Sequence, residues 1–211
     1  MTPVTIAVPK GRVLKPLAAL LARAGLPADV LLADDRALIR SVGSKNVRFL
    51  LLKPDDVPTY VEYGAADLGV CGRDVLVERE SELYQPVDLG IGKCRMVVAG
   101  PVGSEEPRDL PRVATKYPRM AAAHFARRGV QAEIVYVSGS VELAPITGLS
   151  DLIVDLVETG STLVRNGLAE REIVAKISSV LVANRASYKL RRQEIALLVE
   201  RLREAVETSA A

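Results

Sequence analysis

One stretch carries an acid, a glycine and three hydroxyls within a few residues: Ile153-Val154-Asp155-Leu156-Val157-Glu158-Thr159-Gly160-Ser161-Thr162-Leu163. An apolar strand running to Asp155, followed by a small-residue turn that opens a short helical stretch, gathers backbone N–H groups and hydroxyls around one point. That arrangement is a cradle for phosphate. Gly160 takes a positive φ and lets the anion approach closely, while Thr159, Ser161 and Thr162 add donors. Asp155, at the carboxyl end of the strand, is placed to accept hydrogen bonds from paired sugar hydroxyls. Acid and turn together point to a ribose 5-phosphate; the competing reading is that residues 159–162 only cap a helix.

A second candidate is Val8-Pro9-Lys10-Gly11-Arg12, two cations around a glycine where a first strand ends. Lys10 and Arg12 there would face the crevice in which α/β sheets bind ligands. Their charge suits a pyrophosphate, and Arg12 can grip two oxygens at once. A plain solvent-exposed basic turn is the alternative. Further charges fall at other strand ends: Arg36, Lys53, Asp67, Asp74, Lys93, Arg95, Lys116 and Glu142. Asp74, in Cys71-Gly72-Arg73-Asp74, and Glu142, after Ser138-Gly139-Ser140, stand next to glycines. These two acids could hold Mg²⁺ through water, because that ion takes few protein ligands alongside substrate phosphates. The nucleotide P-loop is absent, and Gly90-Ile91-Gly92-Lys93 lacks the dinucleotide-binding spacing.

These sites need strand ends to sit on, and the pattern supplies them. Short β-rich runs alternate with amphipathic segments, the signature of βαβ units in a largely parallel sheet. Residues 4–8 read as a first strand and 14–21 as a helix closed by Gly25 and Pro27. Residues 47–52 read as a strand covered on both faces, 57–63 as a helix and 67–72 as a strand. A second series begins near Asp88, with strands at 95–100, 112–115, 133–137 and 152–157 and a Pro-initiated helix at 118–128. Residues 187–207 read as one long amphipathic helix, whose apolar face serves either a homodimer or packing against the first lobe. Residues 100–107 are the one loop-like run longer than a turn. The lack of a linker favours two lobes joined by crossing strands.

At 211 residues and 49% hydrophobic content the chain can bury a core without staples. Lys plus Arg total 28 against 26 Asp plus Glu, a balance that excludes a protein coating nucleic acid. Aromatics at 4%, with no Trp, exclude base-stacking platforms. There is no leader-like start and no apolar stretch near the ~18–20 residues of a membrane span, so a cytoplasmic protein is expected. Cys71 and Cys94 read as free thiols and the single His124 leaves no material for histidine triads.

Taken together, Pro9-Lys10-Gly11-Arg12, the run 60–74, the run 88–95, residues 112–118, Gly139-Ser140-Val141-Glu142-Leu143-Ala144-Pro145 and the cradle at 155–163 resemble ATP phosphoribosyltransferases in order and spacing, across essentially the whole chain. The resemblance is to the short form, without a C-terminal regulatory domain. It implies an α/β fold of two lobes of mixed or parallel sheet with flanking helices, like type II periplasmic binding proteins, and an active site in the interlobe cleft. The chain would cross back near residue 180, so that lobe 1 is 1–90 plus 180–211 and lobe 2 is 91–179. The implied reaction joins N1 of ATP to C1′ of 5-phosphoribosyl 1-diphosphate with loss of pyrophosphate, the first step of histidine biosynthesis. The resemblance carries substrate binding onto Asp155, Thr159, Gly160, Ser161 and Thr162. It places Lys10, Arg12 and Glu142, the expected catalytic residues, near the pyrophosphate and ribose, with Mg²⁺ as cofactor; Gly11 and Asp74 are further expected substrate-binding residues. It also implies a regulatory partner resembling histidyl-tRNA synthetase. The rival from another class is a non-enzymatic solute-binding or sensor protein with the same architecture.

Overall fold

A computed structural model describes residues 2–26, 28–43, 46–104 and 109–210. Pro27 and residues 105–107, named above as a helix stop and part of a loop, lie outside the described residues. The chain divides into unit 1, Met1–Gly92 with Ser178–Ala211, and unit 2, Lys93–Ile177. The crossings fall two residues from the 90/91 and 179/180 boundaries expected from the sequence.

Unit 1 begins with β1 (Val4–Pro9), whose six residues are all buried. It continues with α1 (Leu14–Arg23), β2 (Ile39–Val42), β3 (Val47–Leu52), α2 (Val57–Glu62), β4 (Leu68–Gly72), α3 (Arg73–Arg79) and β5 (Tyr84–Asp88). The chain returns through β11 (Ser179–Ala183), α7 (Arg185–Leu190) and α8 (Arg192–Ala210). The sheet order is β2-β3-β1-β4-β11-β5. β1 is parallel to β3, from Val4↔Val47 to Pro9↔Leu52, and parallel to β4, so the ends of all three lie on one side. β3 alternates buried and half-buried positions rather than being covered evenly: Val47, Phe49 and Leu51 face the main core, while Leu50 and Leu52 are only partly covered by the cluster of Val57 and Val61 on the other face.

Unit 2 contains β6 (Cys94–Pro101), β7 (Arg112–Thr115), α4 (Pro118–Arg127), β8 (Glu133–Tyr136), α5 (Leu143–Ile146), β9 (Leu152–Val157), α6 (Ser161–Arg165) and β10 (Leu168–Ile177). Its sheet runs β10-β6-β9-β7-β8, with β7 parallel to both β8 and β9 and with β6 antiparallel to β9 and β10. Apolar clusters cover both faces: one includes Met96, Val113, Phe125 and Val154, the other Val97, Ala114, Ile153 and Val157.

The tail corrects the single-helix expectation. It starts at Asn184, whose side chain accepts hydrogen bonds from Ala186 and Ser187 N–H as an N-cap, and it breaks at Arg191. The Arg191 guanidinium turns inward to Asp67 Oδ2 (3.0 Å), the Pro3 carbonyl (3.1 Å) and the Thr2 carbonyl (2.7 Å), and the backbone there leaves the helical region. The apolar face of α8, with Ile195, Leu198, Val199 and Leu202, is buried in the unit 1 core with Leu17 and Leu21 of α1. That face is therefore satisfied within the chain, and it gives no support to a homodimer.

This packing sets a contrast. Ile195 is 0% exposed and Leu190 84% exposed. Ile195→Ala should lower unfolding stability by about 2–5 kcal/mol, while Leu190→Ala should stay within roughly 0.5 kcal/mol of the parent; urea unfolding reads both.

Candidate active site

The parallel strands of unit 2 end in polar segments. Thr115, the last residue of β7 and fully buried, donates its hydroxyl to the Val154 carbonyl (2.6 Å) and accepts from Tyr117 N–H (2.9 Å). The β7–β9 pairing stops at Thr115↔Val154, so the next residue of β9, Asp155, has no partner on that side. On the other side it pairs with Val97 of β6. Strand alternation puts its side chain on the face of Ile153 and Val157, the face packed by Val141, Ala144 and Leu163 from the α5 and α6 region.

Burial is the main force on this carboxyl. It pushes the Asp155 pKa up to about 6; repulsion from Glu142 adds to the rise, while the Leu156 N–H (2.7 Å) and Lys116 oppose it. Glu142 is the half-buried N-cap residue of α5. Asp155, Glu142 and Lys116, far apart in sequence, thus form one electrostatic group.

β9 then passes into the turn. Gly160 has φ +83°, the left-handed region, and starts α6. The turn closes on itself: Thr159 Oγ1 and Ser161 Oγ lie 3.1 Å apart, and Ser161 N–H reaches Thr159 Oγ1 (3.4 Å). Val164 N–H bonds the Gly160 carbonyl (3.1 Å), which leaves the N–H groups of residues 161–163 outside the helical ladder. Thr159, Ser161 and Thr162 are exposed, and a pocket of about 620 Å³ is lined by Thr159, Gly160 and Ser161 together with Val102, Leu163, Leu168 and Glu170. From β6, Arg95 Nη1 donates to the Glu158 carbonyl (3.0 Å) and Nε to Glu170 Oε2 (2.8 Å).

In unit 1, Lys10, Gly11 and Arg12 are exposed at the end of β1, with Lys10 N–H bonded to the Leu52 carbonyl (2.8 Å) and Gly11 at φ +93°. Asp74 is also in unit 1 but is only 6% exposed. Its carboxylate folds back over Gly72 so closely that a Cβ there would lie 2.0 Å from Oδ1. It also adds to the burial that pushes the Cys71 thiol up to about 12. Asp74 therefore sits in the first turn of α3 as an inward-facing group.

The expected residues thus form two sets: Glu142, Asp155 and Thr159 to Thr162 in unit 2, and Lys10, Gly11, Arg12 and Asp74 in unit 1. Among the described residues no group of three or more His, Cys, Asp and Glu side chains is placed to hold a metal ion. Of the support around the turn, the sequence names Arg95 only as a strand-end charge and gives no sign of its partner Glu170. Arg95 and Glu170 are 75 positions apart, and Thr115 carries its signal only through the strand that it terminates. A hydroxyl at the end of a buried parallel strand, followed by a charged residue, was the available clue.

Residues 53–204 match the HisG family, ATP phosphoribosyltransferase. An ATP phosphoribosyltransferase of Sorangium cellulosum is 64% identical over 203 residues, 96% of each chain, and one of Methylococcus capsulatus is 50% identical over 208 residues, 98% of each. A chain of the ATP phosphoribosyl transferase (HisG:HisZ) complex of Thermotoga maritima superposes with a TM-score of 0.84 at 37% identity, covering 99% of this chain and 100% of that one. The periplasmic aliphatic sulphonate binding protein SsuA of Escherichia coli reaches a TM-score of 0.61 at 14% identity over 98% of this chain and 73% of its own, a likeness of fold alone. Among the described residues no helix is long and apolar enough to cross a membrane.

Two outcomes follow from the geometry. A carboxyl whose folded pKa is raised is penalised in its charged form above about pH 6, and the penalty fades as pH falls toward 3.8. Asp155→Asn should therefore stabilise the free protein at pH 8, by an amount of order 3 kcal/mol, and the gain should shrink by pH 4 in a series of thermal melts. Gly160→Ala forces a Cβ into the left-handed region and to within 3.3 Å of Glu170 Oε1. It should lower stability by about 1–2 kcal/mol, read by the same melts at constant pH.

Proposed function

The chain belongs to the ATP phosphoribosyltransferase family, and from the geometry above we propose how its residues divide the work. The reaction is transfer of the phosphoribosyl group of 5-phosphoribosyl 1-diphosphate to N1 of ATP with release of pyrophosphate, the first step of histidine biosynthesis. The observation that carries the assignment of roles is the placement of Asp155 on the covered face of β9, just before the turn built on Gly160. The N–H groups and hydroxyls of Thr159, Gly160, Ser161 and Thr162 receive the 5-phosphate. Ionised Asp155 accepts hydrogen bonds from the ribose hydroxyls, and Glu142 stands beside it. Lys10 and Arg12, with the Gly11 backbone between them, meet the charge of the pyrophosphate.

Glycosyl transfer of this kind needs no protein nucleophile. The transition state gathers positive charge on the sugar and negative charge on the leaving group, so fixed dipoles, cations and orientation of two large anions supply the catalysis. Mg²⁺ fits the donor set. Glu142 and Asp155 are acids close enough to repel each other, and few protein ligands are what this ion takes when phosphates and waters complete its shell. Glu142 would hold it through water, since it is half-buried beside Asp155 while the Asp74 carboxylate is buried over Gly72. When bound there, Mg²⁺ would supply neutralisation of pyrophosphate charge. The T. maritima relative was solved as a HisG:HisZ complex, which supports a hetero-oligomer with a regulatory subunit like histidyl-tRNA synthetase. The cytoplasm is the compartment that this biosynthetic role calls for.

The test is an assay of the purified chain with ATP, the phosphoribosyl donor and Mg²⁺, with and without the synthetase-like partner, monitoring phosphoribosyl-ATP. Asp155→Ala should lose about 1.5–3 kcal/mol per charge-assisted hydrogen bond, or roughly tenfold to a hundredfold in kcat/KM for the donor. In the parent, donor KM should rise as pH falls through about 6, because protonation removes the acceptor. Tight binding of both substrates without product, partner present, would favour a binding protein.

A further inference from the structure

Whatever the turn at 159–162 binds, its donors work only if the backbone is held in one place. Its internal contacts, Thr159 Oγ1 to Ser161 Oγ (3.1 Å) and Ser161 N–H to Thr159 Oγ1 (3.4 Å), are exposed and long. The hold from outside comes through Arg95. This residue lies directly opposite Val157, the last residue of β9, in the antiparallel β6–β9 pair. Its guanidinium donates Nη1 to the Glu158 carbonyl (3.0 Å), the first peptide of the turn. Its other edge engages Glu170 of β10 through both carboxylate oxygens, Nε at 2.8 Å from Oε2 and Nη2 on Oε1. The pair forms the floor of the turn: at Gly160 an added Cβ would lie 3.3 Å from Glu170 Oε1 and 3.8 Å from Arg95 Nη2.

The charges of the pair are spent on each other. Each partner favours the other's ionised form, raising the pKa of Arg95 and lowering that of Glu170, chiefly through the side-chain hydrogen bond. Arg95 is thus not a free cation available to a phosphate. The two side chains are 31% and 29% exposed, and half-open ion pairs add little to global stability. Such a pair does define geometry, since a planar fork fixes three acceptor positions that an ammonium cannot.

We propose that Arg95 and Glu170 are positioning residues that hold the 159–162 turn in its donor-binding shape, clamping β6, β9 and β10 at one point. The proposal rests on the phosphate-binding role given to that turn above. It is tested with Arg95→Lys, Glu170→Gln and the double variant, assayed with the synthetase-like partner present, and with exchange of the Val164 amide, which bonds the Gly160 carbonyl and closes the turn, in each free chain. Because misplacement of about 1 Å can cost a hundredfold, each single variant should raise donor KM by roughly tenfold or more. ATP KM should stay within about twofold, the double variant should be no worse than the poorer single one, and exchange of the Val164 amide should quicken. If Arg95 served only as a positive charge, Arg95→Lys would keep donor KM and Glu170→Gln, by unmasking the cation, would lower it; either result overturns the proposal. Exchange that is unchanged in Arg95→Lys overturns it as well, whatever the kinetics. Should the parent make no phosphoribosyl-ATP, the functional reading of the turn falls, and the exchange experiment alone decides whether the clamp exists.

Discussion

The second sheet is organised around a carboxylate that it does not neutralise. Asp155 stands on the covered face of a buried strand, and its environment favours the protonated form up to about pH 6. A fold optimised only for stability would place an apolar side chain there, as it does at Ile153 and Val157 on the same face. The details nearby follow from keeping that group. β7 stops one residue short so that Asp155 is not walled in, and Thr115 seals the end of β7 by bonding the Val154 carbonyl. Glu142 and Lys116 oppose each other across the group. The desolvated carboxyl of Asp155 lies a few residues before the turn at Gly160, and a perturbed titratable group beside an exposed turn is what a binding site concentrates.

Unit 1 meets a different constraint, since its sheet is built from two separate parts of the chain. The return is held by a few polar groups. Asp67 Oδ2 accepts from both Thr5 N–H (2.8 Å) and Arg191 (3.0 Å), joining β1, the entry of β4 and the start of α8. Asn184 Nδ2 donates to the Val61 carbonyl (2.8 Å) while its Oδ1 caps α7. At the other crossing, Asp88 accepts from Gly90 N–H (3.0 Å), Ser178 Oγ (2.8 Å) and Arg73 (3.2 Å), tying the outgoing and returning strands together. Charges that look like scattered surface residues in the sequence are the fasteners of a discontinuous unit.

That difference explains what could be read from the residues and what could not. Alternation of apolar runs with helical spacing located β1, α1, β3, β7 and β9, whose signals are local. β10 was missed because Leu168–Ile177 is largely half-buried or exposed and its register slips twice against β6, which destroys a clean period of two. The break at Arg191 leaves no trace in the pattern of Leu190 and Ile195, since its cause is a carboxylate more than a hundred positions away. At the site, the turn and Asp155 were legible because glycine, hydroxyls and acid are contiguous. Arg95 was visible only as one more strand-end charge, and its pairing with Glu170 was not, because that pairing exists only once β6 lies between β9 and β10.

The sole histidine shows what kind of catalysis the chain can support. His124 is 6% exposed, packed edge-on against Phe125 and 3.4 Å from Glu172, within the helix-covered core of unit 2. No imidazole is therefore available to shuttle protons, and the two reacting partners must bring their own nucleophile and leaving group. What the chain contributes differs between its units. The unit 2 set offers neutral donors in the turn, acids at Asp155 and Glu142 and the cation Lys116 beside them, with Arg95 already paired; the exposed cations Lys10 and Arg12 belong to unit 1. In the proposed role, ionised Asp155 and Glu142 favour positive charge developing at the anomeric carbon. The burial that raises the Asp155 pKa also strengthens its interaction with that developing charge, because both effects come from the same exclusion of water.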